Sequence, residues 1–132
     1  MSNKILEEIE VIPVIAPVAQ TAASNTTGAY LKAETGLGTI DFVVRGGALA
    51  AGKKLTVAVM QASDANGTGA AEITKYATVF TAPTGGSTDC VIGVTVDPCD
   101  VEKGYMTVKV TNDAASAVPV DAFALKRKQY LY

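Results

Sequence analysis

The feature that most limits what this chain can fold into is a two-residue rhythm that starts at Thr39 and is interrupted by glycine-rich turns. Ile40, Phe42 and Val44 alternate with Thr39, Asp41 and Arg45. Successive side chains of a strand point to opposite faces, so this alternation is the pattern of a half-buried strand. The pattern returns in Lys54–Gln61, with Leu55, Val57 and Val59 facing inward, and in Tyr105–Thr111, with Met106, Val108 and Val110. Cys90–Val96 reads as another strand. Asn66-Gly67 and Asp97-Pro98 are the turn chemistry expected between such segments, because Asn and Gly tolerate positive φ and Pro fixes its own.

The remaining segments are less regular. Gly28–Ala33 gives a brief strand around Tyr30 and Leu31, Glu72–Ala82 a single strand, and the small polar run Ala19–Thr27 a linker or loop. Val118–Tyr132 closes the chain as a long strand. A bulge near Ala124 is expected there, since Asp121, Phe123 and Leu125 compete with Val120, Ala122 and Ala124 for the buried face. Seven or eight strands without a long helix predict an all-β chain, an antiparallel β-sandwich that is jelly-roll-like or immunoglobulin-like. The two topologies stay open at this level, although the cysteine-tryptophan-cysteine signature of immunoglobulin domains is absent from a chain without tryptophan. A chain of 132 residues encloses one such core, which places a single sandwich domain over residues 18–132.

Residues 1–17 differ from the rest. Ile9, Val11, Ile12, Val14 and Ile15 are interleaved with Pro13 and followed by Pro17. Proline cannot donate to a helix or to a central ladder, so the segment is extended: an N-terminal arm or an edge strand. An apolar arm needs a partner, and those five residues are candidate contacts with a sister subunit or a larger scaffold, or else the first strand of the chain's own sandwich. At the other end, Tyr130 and Tyr132 follow Lys126, Arg127 and Lys128. Tyrosine buries area at low entropy cost, which makes this pair a second candidate contact, although edge-strand packing accounts for it equally.

Composition removes several function classes. Eleven basic and thirteen acidic residues give a net charge of −2, without the wide basic patch that nucleic acid requires. No apolar run approaches the about eighteen residues of a membrane helix, and Glu7, Glu8 and Glu10 spoil a signal peptide, so synthesis in a cytoplasm is expected. Histidine is absent, so Ser and Thr have no evident activating base and no enzyme is expected. Cys90 and Cys99 are separated by an extended stretch at about 3.3 Å per residue, well beyond the about 7 Å that a disulfide spans, and should be free thiols. No metal or cofactor is expected. The run from Asp64 resembles a calcium loop, but Lys75 stands where its bidentate glutamate belongs.

Ile40–Leu49 is a strand running into a Gly-Ala bend, Leu55–Ala65 ends in Gln-Ala-Ser-Asp-Ala, Asn66–Ala70 is a turn, and Asp100–Tyr105 precedes the final strand. In this order, from Ile40 to Tyr132, the segments resemble small virion proteins encoded in the head modules of tailed bacteriophages and prophages. The resemblance implies a capsid decoration or cement protein located on the virion exterior. It would be a homo-oligomer, dimer or trimer, whose partner is the major capsid protein of the shell. The alternative is a receptor- or carbohydrate-binding module that uses Tyr76, Tyr105 or Tyr130.

Overall fold

The computed structural model describes residues 9–35 and 38–127. Ten strands form two sheets: β1 (Ile9–Gln20), β2 (Asn25–Thr27), β3 (Leu31–Lys32), β4 (Ile40–Gly46), β5 (Lys54–Ala62), β6 (Ala71–Glu72), β7 (Thr78–Thr81), β8 (Cys90–Val96), β9 (Tyr105–Asn112) and β10 (Val118–Arg127). One sheet runs β1-β10-β4-β8 and the other β2-β9-β5-β6, with β3 also on β9 and β7 also on β5. All of these pairings are antiparallel. Because β2 and β3 share one edge and β6 and β7 the other, the described residues occupy eight strand positions. Their orders, first-eighth-third-sixth and second-seventh-fourth-fifth, are the two interleaved Greek keys of a jelly roll. The structure thus selects the jelly roll from the two topologies left open by the sequence.

The alternating residues build the core as their period requires. Phe42 and Val44 of β4, Leu55, Val57 and Val59 of β5, and Met106, Val108 and Val110 of β9 have no exposed surface, and Ile92, Val94 and Val96 of β8 join them. One end of the sandwich is tied by a buried amide pair. Asn112 Nδ2 donates to Gln20 Oε1 at 2.6 Å and to the Thr21 carbonyl at 3.1 Å, while Gln20 Nε2 donates to Thr26 Oγ1 and the Val110 carbonyl, each at 2.8 Å. Asn112 Oδ1 accepts from the backbone N–H of Ala23 and of Ala114. Gln20 and Asn112 are each only 2% exposed, and burial of two amides is tolerated because their donors and acceptors are partnered. The pair joins β1 of one sheet to β9 of the other.

Three expectations are corrected. The final strand has no bulge near Ala124: β10 pairs with β4 in unbroken register from Val120↔Gly46 to Leu125↔Asp41, with Val118, Val120, Ala122 and Ala124 buried. The irregularities lie instead in its other neighbour, β1, between Pro13 and Ile15 and between Ile15 and Val18, where prolines interrupt the ladder. The run from Ala19 to Thr27 is not a loop throughout, because β1 continues to Gln20 and β2 occupies Asn25–Thr27, both held by the amide pair. Glu72–Ala82 is not one strand but β6, a 3₁₀ turn at Thr74–Tyr76, and β7. Tyr76 draws the chain off the ladder there: its hydroxyl donates to Asp100 Oδ2 and accepts from the Asp97 N–H at 3.0 Å.

Candidate interaction surface

The outward positions of the β1-β10-β4-β8 sheet fall into rows. Val11, Leu125, Asp41 and Thr95 form one; Pro13, Phe123, Val43 and Gly93 form the next; Asp121, Arg45 and Val91 form a third. The middle row is wholly apolar and crosses all four strands. Phe123, Val43 and Leu125 are half-buried by their neighbours, while Val11 is 51% and Val91 68% exposed. Asp121 and Asp41 on this face are engaged by neighbouring side chains. Arg45 Nε donates to Asp121 Oδ1 at 2.9 Å and a second guanidinium nitrogen reaches Oδ2, an ion pair that raises the Arg45 pKa. Thr95 Oγ1 donates to Asp41 Oδ1 at 2.6 Å. The opposite sheet turns outward Lys54, Thr56, Lys109 and Thr111 together with Ala58, Met60 and the exposed Val79, a mixed face.

Beside the Arg45–Asp121 pair lies an open cleft of about 470 Å³, walled by Pro17, Val18, Val91 and Pro119 and floored by Gly46 and Cys90. Gly46 is dictated by close approach: a Cβ there would stand 2.7 Å from Leu55 Cδ2 and 3.0 Å from Cys90 Sγ. The Cys90 thiol is buried, and burial pushes its pKa up, so it lies on the unreactive side of the ordinary thiol. Its lining thus joins apolar walls and an unreactive thiol to a matched ion pair and the exposed Asp89 carboxylate.

The candidate contacts of the N-terminal segment separate on this frame. Val11 lies on the outward face beside Leu125, and Ile9 is half-buried at the start of β1 opposite Arg127. Ile12 packs partly against the chain's own core, and Val14 and Ile15 belong to that core, 6% and 5% exposed. These last two are occupied within the sandwich. Tyr130, Tyr132 and Lys128 lie outside the described residues. Lys126 of the basic cluster pairs with Glu34 at 3.2 Å. The face residues not singled out in advance are Val43, Val91, Phe123 and Leu125. Their signal is a strand with apolar residues on both of its alternating sets, most visible in Val120–Leu125.

The two other constellations are internal. Asp64 Oδ1 accepts from the N–H of Asn66 and of Thr68, and Oδ2 from Thr68 Oγ1 at 2.7 Å, which lowers its pKa and commits its oxygens to the turn. In that turn Gly67, with φ 84°, supplies the positive φ. Asp100 is held below the usual carboxylate range by the Lys75 ammonium at 2.7 Å and by the Tyr76 hydroxyl.

No family model matches the chain, and no curated protein matches it. Solved structures do. An infectious bursal disease virus (Gx strain) structure superposes with a TM-score of 0.57 at 8% identity, over 92% of this chain and 33% of that one. The Clostridium thermocellum xylanase 10B structure of CBM22-1 and GH10 modules with xylohexaose superposes with a TM-score of 0.51 at 10% identity, over 92% and 30%. The chain spans about a third of the length of each. At such identities the likeness is one of fold, a two-sheet antiparallel β-sandwich shared by proteins of very different work.

Proposed function

We propose that this chain is a non-enzymatic structural protein of a virus particle, which binds the assembled capsid of a tailed phage from outside and stabilises it. The observation that carries the reading is the outward face of the β1-β10-β4-β8 sheet. Its apolar row Pro13–Phe123–Val43–Gly93 crosses every strand, with Arg45 and Asp121 paired beside it and Asp41 held by the Thr95 hydroxyl. An apolar face rimmed by satisfied polar groups is the composition of a surface meant to be covered. The sequence resemblance to phage head proteins and the jelly-roll fold, one used for viral capsid domains, both agree with this reading. The partner is the major capsid protein. Copies bound at symmetric sites gain avidity, and a ligand that binds the assembled shell and not its free subunits stabilises the shell by mass action. The chain acts as a closed homo-oligomer, dimer or trimer.

The experiment is cosedimentation of the purified chain with assembled shells and, separately, with dissociated capsid subunits. The expected result is binding to shells that Val43→Lys weakens about tenfold or more, the effect of a charge at the centre of an apolar interface, with thermal unfolding showing the variant folded. Failure to sediment with shells, or retention on a glycan array at the same concentration, contradicts the reading.

A further inference from the structure

The β1-β10-β4-β8 sheet has two edges, and they are built differently. An edge strand presents a row of unpaired N–H and C=O groups, which proteins blunt with proline, charge or bulges. The β1 edge has all three: Pro13 and Pro17, Glu10, and two register shifts. The β8 edge, Cys90-Val91-Ile92-Gly93-Val94-Thr95-Val96, has no proline and no charged side chain, and it pairs with β4 in unbroken register. Among the described residues, no backbone group of 90–96 enters a hydrogen bond outside its own sheet. The free run ends at Asp97, whose N–H is taken by the Tyr76 hydroxyl. Inward, Ile92, Val94 and Val96 are already buried; outward, Val91 is exposed and a Cβ on Gly93 would meet no atom within 4 Å. The strand thus offers a backbone edge that is unpaired among the described residues, with β7 of the other sheet standing beside part of it.

Charge decides what pairs with it. Asp89 and Asp97 stand immediately before and after β8, both are exposed, and neither makes an ion pair with a described residue. In a second copy paired antiparallel about Gly93, Asp89 would lie opposite Asp97 at both ends, and directly opposed like charges are destabilising. A strand with basic ends converts both repulsions into attractions. We infer that the β8 edge is a docking strand. By β-strand addition it takes an extended protein segment with an uncharged, β-branched middle and lysine or arginine at each end. The inference rests on the shell-binding reading only for placing that segment in a shell protein; the chemistry of the segment follows from β8 itself.

The test uses the full chain and two synthetic peptides that share one uncharged β-branched core, one ended by lysines and the other by glutamates, titrated by calorimetry and followed by amide shifts. The lysine-ended peptide should bind about tenfold or more tighter, the worth of two exposed charge pairs, with shifts confined to β8 and β4 and a preference that shrinks as salt rises. Gly93→Lys, which projects into open space, should abolish binding and leave the fold intact by circular dichroism. Asp89→Asn with Asp97→Asn, which keeps the acceptor for the Cys99 N–H, should erase the preference while binding persists. Equal affinity for both peptides, no binding, binding indifferent to Gly93→Lys, or a homodimer whose shifts map to β8 would overturn the proposal. Peptide binding without shell binding overturns the shell reading and leaves the docking strand standing. Shell binding that survives Gly93→Lys, with no peptide bound, does the reverse.

Discussion

At the scale of single residues, the energetic weight lies in groups that burial makes costly to disturb. The Asn112 side chain partners Gln20 and three backbone groups around it while 2% exposed, so Asn112→Ala leaves buried donors and acceptors without partners. We expect a loss of about 2–4 kcal/mol in urea unfolding. Arg45→Gln, which removes the surface Arg45–Asp121 ion pair, should leave the urea midpoint nearly unchanged. The acid limb has an equally specific origin. Asp100 and Asp64 titrate lower in the folded chain than in the unfolded one, so their stabilisation is present above the ordinary carboxylate pKa and is lost as pH falls through the lower folded values. Asp100→Asn should therefore flatten the fall of the urea midpoint on acidification and leave its plateau near neutral pH lower. The two thiols should also divide: Cys99, exposed, reacts with a thiol reagent in the native state, and Cys90 reacts only on unfolding.

At the scale of elements, Gly46 sets how closely β4 packs over β5 and beside β8. Gly46→Ala should cost about 1–3 kcal/mol by overpacking against Leu55 and Cys90, measurable as a lowered Tm. Strands with one clean apolar set were legible in the sequence: β4, β5, β8 and β9 stand within a residue of where the alternation of Ile40–Val44, Leu55–Val59, Ile92–Val96 and Met106–Val110 puts them. β10 was legible as a strand but not in its facing. Ala122 and Ala124, which line the core beside Val44 and Phe42, carry less hydrophobic signal than the outward Phe123 and Leu125. The same ambiguity concealed the candidate surface, because an apolar residue on a solvent-facing position looks like a core residue until the partner strand fixes the register. β3 was legible as the brief strand around Leu31, whereas β2 and the break between β6 and β7 were not, because they depend on long-range partners: Thr26 on Gln20, and Tyr76 on Asp97 and Asp100.

At the scale of the whole molecule, β1 belongs to the fold as well as to the surface. It supplies Val14 and Ile15 to the core and Gln20 to the amide pair, and it covers the edge of β10. Removing residues 1–20 should abolish cooperative unfolding, followed by near-ultraviolet circular dichroism and denaturant titration. A chain that kept a sharp transition would show β1 to be an appendage. Since β1 closes on β10 near the other end of the chain, loop closure over most of its length precedes that pairing, and folding in milliseconds to seconds is the expected regime. On the capsid-binding proposal the two sheets divide their work: the lysine- and threonine-bearing face of β5 and β9 would meet solvent, and the face of β1, β10, β4 and β8 would meet the particle. The most direct measurement is a cryo-electron microscopy map of particles carrying this chain. The account predicts density on the shell exterior with Phe123 and Val43 turned toward capsid protein, and it is contradicted by particles that lack the chain or by a chain whose lysine-bearing face makes the contact.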